Sequence, residues 1–528
     1  MPGSPTDTAW WERPWAVAAL VLVSALPLLW PDVPPLLDLP GHMARYRVQL
    51  DLAGSPPLQG FYSFRWGMIG NLGVDLLVVP LSELFGLELA VKLVVLAIPP
   101  VAVAGFLWTA HEVHGRVPPT ALFAVPLAYN FPFQFGFVNF SLGMALAFIA
   151  FALWLRLGRM GRVRLRAALF VPVSLIVWLA HTHGWGTLGL LVFAAEFIRR
   201  RGDGIKFVEA GLRAALACLP LVPPLILMAI WRNPYGGLTG NWLNIVSKIN
   251  YVKTPLRDRW ELFDLVSLAI IAGLIITAIR SRRFAFSRPL AFALLLLSGI
   301  YLLLPGTVFG SGYADMRLMP YLFLLALLGI RLAAPADRRL ARALALAGLA
   351  FFAIRTGATT ASFYLYDKSF DHELAALDHV PRGARLVSFV GAPCRGDWTM
   401  ARLDHLPGMA VVRREAFSND QWSVAGAQLL LSVYAPAGEF GRDPSQIVGF
   451  RVCPNNRWRS LNRALAEFPR AAFDYVWLIN PPPFDPRLIA GLTPVWQSGR
   501  SALFRIEHGK GLDAVPDNLA PVRAEPRF

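Results

Sequence analysis

Apolar segments long enough to cross a bilayer recur through the first two thirds of this 528-residue chain. Each has roughly 17 to 22 mostly apolar residues, which matches the hydrocarbon thickness of a membrane. Hydrophobic residues make up 55% of the chain, charged residues make up 16%, and the mean hydropathy is +0.48. The sequence therefore predicts a polytopic α-helical membrane protein. Clear examples of the segments are Trp15–Trp30, Leu89–Ala110, Leu142–Leu157, Leu262–Ile279 and Pro289–Leu304.

Lys and Arg indicate how the helices are oriented. They outnumber Asp and Glu by 50 to 34, a formal net charge of +16, but they lie in short loops between apolar segments and not on one polar face. This pattern disfavours a nucleic-acid partner and fits the rule that basic loops stay in the cytoplasm. The strongest clusters are Arg156/Arg159/Arg162/Arg164/Arg166, Arg199/Arg200/Arg201/Lys206, Arg280/Arg282/Arg283/Arg288 and Arg331/Arg338/Arg339/Arg342.

With these clusters inside, we expect about eleven spanning helices, a cytoplasmic N-terminus and an external C-terminus. If Asn71–Phe85 crossed the membrane, the first loop and the basic clusters could not both obey the charge rule. We therefore interpret it as an amphipathic helix on the outer surface, within a first external loop at 31–88. A cleaved signal peptide is the alternative for the first segment, disfavoured by its length and by Pro31 and Pro34 directly after it. The predicted spans are 14–30, 89–110, 118–131, 139–157, 166–180, 184–198, 211–231, 262–279, 288–305, 319–333 and 340–356.

After residue 357 the apolar runs shorten, charges become interspersed, and Pro and Gly recur. We therefore divide the chain into a membrane domain, 1–357, and a soluble C-terminal α/β domain, 358–528, which the charge rule places in the periplasm. The tail after about Lys510 is predicted to be loose. The predicted elements of this domain are helices at Phe370–Leu377 and Leu461–Phe468, strands at Ala384–Val390 and Tyr475–Ile479, and a hairpin over Val495–Ile506 that turns at Ser498-Gly499-Arg500.

The chain has three cysteines. Cys218 falls within a predicted span and is interpreted as a packing residue. Cys394 and Cys453 are the two in the C-terminal domain, and an oxidising compartment would favour joining them. Two free thiols too far apart to pair remain the alternative, because sequence does not give their separation.

The first external loop contains a stretch rich in ionisable residues, Asp38-Leu39-Pro40-Gly41-His42-Met43-Ala44-Arg45-Tyr46-Arg47. Such groups beside a bilayer are costly unless they bind or react. If Leu39–Leu50 is helical, Asp38 lies at its amino end with His42 and Arg45 on about the same side. Asp38 could then accept a proton from an incoming hydroxyl or amine, while Arg45 and Arg47 bind phosphate. The alternative is that Asp38 only caps the helix and the arginines anchor it to headgroups.

Two further external turns supply candidate substrate-binding residues. His181 and His183 form a short turn, and Asp315 and Arg317 precede the span at 319–333. No motif requires a cofactor. A divalent metal on His181, His183, His42 and Asp38 is conceivable, but paired histidines at a turn more often cap helices, so we do not favour it.

The chain resembles the GT-C superfamily of integral-membrane glycosyltransferases in three short motifs. They are Asp38-Leu39-Pro40-Gly41-His42-Met43-Ala44-Arg45, Gly136-Phe137-Val138-Asn139-Phe140-Ser141-Leu142-Gly143 and Asp315-Met316-Arg317-Leu318-Met319-Pro320. The order of elements over residues 10–357 is similar as well. The resemblance implies a GT-C-like bundle, a sugar donor linked to polyprenyl phosphate, and Asp38 as base or acceptor-positioning group. Many members have acids in the second external loop, whereas Asn130–Phe140 contains none.

The leading hypothesis is glycosyl transfer at the outer face of a bacterial inner membrane, onto a glycan, lipid or protein acceptor. Asp38 would activate the acceptor, and the lipid phosphate would lie near Arg45, Arg317 or the basic stretch Lys248–Arg259. The rival is a non-catalytic transporter or scaffold for lipid-linked saccharides, which would bind lipid phosphate without breaking a bond.

Overall fold

The computed structural model describes residues 8–230, 238–334, 337–394, 396–424, 428–453 and 458–508. The predicted loose tail after Lys510 lies outside this part of the chain. The α-helices in chain order are α1 (Pro14–Val23), α2 (Leu39–Asp51), α3 (Pro56–Phe61), α4 (Gly73–Phe85), α5 (Leu87–His114), α6 (Phe131–Phe135), α7 (Val138–Arg159), α8 (Val163–Ala180), α9 (Thr182–Gly202), α10 (Phe207–Ala217), α11 (Pro223–Ile230), α12 (Ile245–Tyr251), α13 (Glu261–Arg280), α14 (Arg288–Leu303), α15 (Met319–Gly329), α16 (Arg338–Leu374), α17 (Gly408–Arg414) and α18 (Leu461–Glu467).

The strands are short, and most of them follow residue 380. They are β1 (Tyr62–Phe64), β2 (Phe284–Phe286), β3 (Ile330–Leu332), β4 (Leu386–Ala392), β5 (Leu430–Ser432), β6 (Ile447–Gly449), β7 (Tyr475–Ile479), β8 (Leu492–Ser498) and β9 (Ser501–Ile506).

The chain forms two compact units. Unit 1 comprises 1–30, 67–84 and 89–363, and unit 2 comprises 31–66, 85–88 and 364–528. Most of the first external loop therefore belongs to the same unit as the C-terminal region. The helix α16 runs without a break past residue 357, where the composition changes, because no proline occurs between residues 336 and 380 to end it.

Unit 1 is helical and apolar. By length and composition, five of the described helices could cross a membrane, or six if α10 and α11, bent by 45° at their junction, count as one span. Prolines at 220, 223 and 224 explain this break. The membrane class is confirmed, whereas the count of about eleven spans stays a prediction. The five are Leu87–His114, Val138–Arg159, Val163–Ala180, Glu261–Arg280 and Arg338–His379, and shorter apolar helices are Pro14–Leu28, Arg288–Leu303 and Met316–Gly329.

Two predicted elements of unit 1 take an unexpected form. The segment predicted as the span 118–131 is mostly a 3₁₀ helix, Pro119–Tyr129, with every residue buried. Pro126 inside it cannot donate to an α-helical ladder, which favours the tighter form. The predicted surface helix is α4, but its Asp75 is fully buried and accepts a hydrogen bond from Asn139 Nδ2 at 2.8 Å.

Unit 2 contains a five-stranded mixed sheet of order β6-β4-β7-β9-β8. The strand β4 is parallel to β6 and β7, and β9 is antiparallel to β7 and β8. All residues of β4 and β7 are buried, as expected for parallel strands inside a core. The predicted helix at Leu461–Phe468, strand at Tyr475–Ile479 and hairpin turn at Ser498-Gly499-Arg500 are confirmed.

A disulfide joins Cys394 to Cys453, with their Cα atoms 5.5 Å apart, so the favoured pairing is confirmed. It connects the segment after β4 to the segment after β6 within unit 2. A second, two-stranded sheet pairs β1 of the first loop with β5, antiparallel, and holds that loop within the same unit.

Candidate functional site

Asp38 is the residue before the first turn of α2, the helix predicted for Leu39–Leu50. Pro40 stands at the second helical position, where its missing N–H costs no hydrogen bond. The Asp38 side chain accepts no capping hydrogen bond from this turn, all of whose residues are described, and it is 8% exposed. The capping alternative is therefore not what the structure shows, and the carboxylate is held for other contacts.

The imidazole of His405 lies among three carboxylates of unit 2. Its Nε2 is 4.0 Å from Oδ1 of Asp38 and 3.9 Å from Oδ1 of Asp443, and its Nδ1 is 3.8 Å from Oδ2 of Asp420. The side chains of His405, Asp38 and Asp420 are 6%, 11% and 0% exposed, whereas that of Asp443 is 22% exposed. Asp38 is thus the first-loop member of an acid–imidazole cluster whose other members come from the C-terminal part of the chain.

His405 in this cluster is a cation. Its Nδ1 donates to the backbone carbonyl of Asp420 at 3.1 Å, which requires a proton on that nitrogen because a carbonyl only accepts. Burial disfavours the charged ring. Hydrogen bonding to Asp420 and the charges of Asp443, Asp38 and Asp420 outweigh burial and raise the pKa of His405 to about 10. At neutral pH an imidazolium therefore lies beside the Asp38 carboxylate.

The segment that carries Asp420 is fixed to β4, an interior strand of the sheet. Asn419 accepts from the Ser388 backbone N–H at 2.8 Å and donates to the Ser388 carbonyl at 3.2 Å. Oδ1 of Asp420 accepts from Ser418 Oγ at 2.7 Å and from Gln421 Nε2 at 3.0 Å. These bonds satisfy one oxygen of the buried carboxylate and orient the other toward His405.

Close backbone approach brings α2 against the segment that carries His405. A Cβ on Gly41 would lie 2.9 Å from the Trp422 ring and 3.2 Å from His405 Nδ1. A Cβ on Gly408, the first residue of α17, would lie 2.8 Å from the carbonyl oxygen of Pro40. Glycine is needed at these positions because any side chain would push Asp38 away from the imidazole.

The other candidates on α2 have separate environments. The imidazole of His42 packs on Trp422 with ring centroids 4.9 Å apart, and Trp422 also contacts His405 at 4.2 Å. The buried Arg45 guanidinium lies over the ring of Tyr46 at 5.2 Å.

The Arg47 side chain contacts α17 and not the cluster around His405. It donates to the backbone carbonyl of Val412 in α17 at 3.0 Å and pairs with Asp51. Its bonds therefore fasten α2 to α17, while His42 is beside the cluster.

Unit 1 brings together His181, His183 and Arg317. The helices α7 and α9 cross closely there, since a Cβ on Gly184 would lie 2.4 Å from the carbonyl oxygen of Gly143. The His181 and His183 ring centroids are 5.1 Å apart. Nε2 of His181 is 3.4 Å from NH1 of Arg317, which is 7% exposed. Two of the predicted external turns thus meet.

The proton positions make this cluster electropositive. Nδ1 of His181 accepts from the backbone N–H of His183 at 3.0 Å, so in the neutral ring the proton is on Nε2. That N–H faces the Arg317 guanidinium, which has only donors. The guanidinium lies 4.0 Å from the ring centroid of Phe137 and donates to Ser311 Oγ and the Gly312 carbonyl, both at 3.1 Å. In this tautomer, two N–H donors lie side by side within unit 1.

Asp315 has a structural partner. Its Oδ2 is 2.8 Å from Nζ of Lys248, and both side chains are 2% exposed. Lys248 also donates to the carbonyls of Tyr301 and Leu304, each at 2.8 Å. This buried ion pair fastens the loop before α15.

Sequence reasoning found Asp38 but not its partners His405, Asp420, Asp443 and Trp422. The signal in the sequence is weak: Ser418-Asn419-Asp420-Gln421-Trp422 is a polar run inside a domain with many such runs. The predicted convergence of Asp38 with Arg317 stays a prediction, because the two belong to different units. Within the described ranges, no group of three or more His, Cys, Asp or Glu side chains could hold a metal ion.

No protein-family model matches this chain, and no curated protein matches it. Two solved structures align with nearly all of it. One is ArnT from Cupriavidus metallidurans bound to undecaprenyl phosphate, with 12% identity, 95% of this chain and 99% of that chain covered, and a TM-score of 0.47. The other is the apo state of the same protein, with 13% identity, 93% and 96% covered, and a TM-score of 0.49. ArnT is a GT-C glycosyltransferase, and GT-C is the superfamily that the three short motifs of this chain resemble. At these values the similarity assigns neither activity nor site residues to this chain.

Proposed function

We propose that this protein is a membrane glycosyltransferase that moves a sugar from a polyprenyl-phosphate-linked donor to an envelope acceptor at the outer face of the inner membrane. The observation that carries the proposal is the position of Asp38: a buried carboxylate at the start of α2 whose Oδ1 lies 4.0 Å from Nε2 of a protonated imidazole.

Asp38 acts as the base. Its carboxylate takes a proton from the hydroxyl or amine of the acceptor as that atom attacks the anomeric carbon. His405 is a positioning residue, because its positive charge lies 4.0 Å from the Asp38 oxygen and attracts it. The His42 and Trp422 rings beside them provide the flat, partly polar surface on which a sugar packs.

Within unit 1, Arg317 and His181 have the chemistry to bind a phosphate. As the bond between the anomeric carbon and the phosphate oxygen breaks, the electron pair stays on the phosphate, and the prenyl phosphate leaves with one more negative charge. A guanidinium and an imidazole N–H that face each other at 3.4 Å suit that growing charge. Phe137 under the guanidinium holds its plane in place.

The test is Asp38→Asn in the full-length protein, reconstituted in liposomes with a panel of prenyl-linked sugars. Loss of the base should lower turnover by about 10²-fold or more, whereas donor binding is retained. Mass spectrometry would follow both free prenyl phosphate and the lengthened acceptor. Asp485→Asn is the matched control, since Asp485 pairs with Arg487 at the surface of the same unit.

Unchanged turnover in Asp38→Asn would reject the assigned base. A wild-type protein that binds the lipid but releases no prenyl phosphate with any donor would instead support the transporter or scaffold.

A further inference from the structure

Unit 1 has a cavity of about 680 Å³ at the ends of α7, α8, α9 and α10, a volume typical of ligand sites. We call it the arginine cavity. It is unrelated to the cluster of His181 and Arg317: His181 precedes the first residue of α9, whereas the cavity is formed at the last turn of that helix, about 30 Å away along its axis. Its principal lining residues are Trp154, Arg166, Arg199, Arg200, Arg213 and Leu216.

One buried carboxylate behind the lining of the arginine cavity is shared by several donors. Glu196, 3% exposed, lies 3.0 Å from Arg166, 2.9 Å from Arg199 and 2.5 Å from Arg200, and accepts from Trp154 Nε1 at 3.1 Å. A carboxylate offers about four acceptor positions, whereas each guanidinium has five N–H donors. Glu196 therefore orients the three arginines without using all their donors.

The rim adds further charge. Arg213 lines the cavity and pairs with Glu209 at 2.5 Å, and Arg199 lies 3.7 Å from Asp203. The side chains of Arg199 and Arg213 are 58% and 55% exposed. Four guanidiniums against the carboxylates of Glu196, Glu209 and Asp203 leave an excess of one positive charge, which favours an anionic ligand.

The remaining wall is apolar and exposed. Leu216 and Leu219 line the cavity and are 62% and 58% exposed, and the neighbouring Leu212 on α10 is 63% exposed. In a helix of a membrane protein, such residues face acyl chains. A ligand that fits this wall and the arginines together has an anionic head and a hydrocarbon tail.

We propose that the arginine cavity binds the phosphate headgroup of an anionic membrane phospholipid, with an acyl chain along Leu216 and Leu219. By the positive-inside rule, the arginine-rich loops predict that the cavity lies at the cytoplasmic face of the membrane. The bound lipid fastens α10 to α9 and so stabilises the last turn of α9. Arginine suits this role because its planar fork matches phosphate oxygens.

The experiment compares full-length protein in nanodiscs of phosphatidylcholine with and without phosphatidylglycerol, and measures the melting temperature and the lipid retained in native mass spectrometry. Arg199→Gln with Arg213→Gln should lower phosphatidylglycerol retention by about fivefold for each arginine. Arg282→Gln is the control, an exposed arginine of the loop between α13 and β2, outside the cavity. If the double variant unfolds, the single Arg213→Gln serves, because Arg213 lines the cavity and its ion pair with Glu209 is at the surface.

Equal retention of phosphatidylglycerol in the cavity variants and in Arg282→Gln would overturn the proposal. So would stabilisation by inorganic phosphate in phosphatidylcholine nanodiscs as large as that by phosphatidylglycerol, because it would show a site for a soluble anion. A melting temperature that rises with phosphatidylglycerol in the wild type and in Arg282→Gln, but not in the cavity variants, would support it.

Discussion

His405 shows why the candidate site could be predicted only in part. The signal at Asp38 is local, since an acid followed within one helix by His42 and Arg45 can be recognised from spacing alone. Its partner His405 lies 367 positions later in the chain. Pairing over such a distance depends on the tertiary fold, and a buried imidazole has no local pattern that distinguishes it from the other histidines of the chain.

The protonation of His405 predicts how stability varies with pH. The folded pKa, about 10, lies above the ordinary value of 6.5. The folded state therefore keeps a proton that the unfolded chain loses, and the stability that it provides is full below about pH 6.5 and falls as pH rises toward 10. We expect the melting temperature of the wild type to decrease over this range, and His405→Gln to lack that part of the decrease.

The control for this pH series is His379→Gln, an exposed histidine of the same unit. It should reproduce the wild-type pH profile of the melting temperature. If His405→Gln and the wild type lost stability in parallel between pH 6.5 and 10, the imidazolium assignment would be wrong.

At the scale of elements, the sequence predicts best those strands and turns that depend on a few neighbouring residues. The buried strand β7 and the turn between β8 and β9 follow from an apolar run and a glycine, which act over a few residues. The continuation of α16 past residue 357 was missed because the amphipathic pattern changes there while helix propensity does not. The 3₁₀ helix Pro119–Tyr129 was missed because an apolar run with prolines is compatible with more than one helix type.

The crossing of α2 and α17 predicts the effect of one methyl group. In Gly408→Ala the new Cβ would lie 2.8 Å from the backbone oxygen of Pro40, which cannot move independently of α2. We expect a loss of about 1–3 kcal/mol in the free energy of unfolding from overpacking. Since α2 carries Asp38, glycosyl transfer should fall as well. Thermal unfolding and the transfer assay measure the two effects.

The matched substitution is Gly60→Ala in α3. A Cβ there meets no described atom within 4 Å, and alanine is the better helix former, so stability should be unchanged or rise by up to about 1 kcal/mol. Equal stability of the Gly408 and Gly60 variants would show that the α2–α17 approach is looser than the structure indicates.

For the whole molecule, the membrane class follows from composition because apolar residues in such numbers have no use in a soluble core, and the helices of unit 1 bear this out. Composition does not predict on which side of the membrane each loop lies. The orientation depends on the charges of the loops that flank the helices. The positive-inside rule is therefore the basis of the last prediction.

We expect unit 2 on the outer side and the arginine loops inside. In a Cys218→Ser background, in which Cys394 and Cys453 remain joined, single cysteines replace Glu439, 82% exposed in unit 2, or Arg282 in the loop after α13. A membrane-impermeant maleimide should label Glu439→Cys in intact spheroplasts and Arg282→Cys only after permeabilisation. The reverse pattern would place Asp38, which belongs to unit 2, on the cytoplasmic side, where the proposed transfer to an envelope acceptor could not take place.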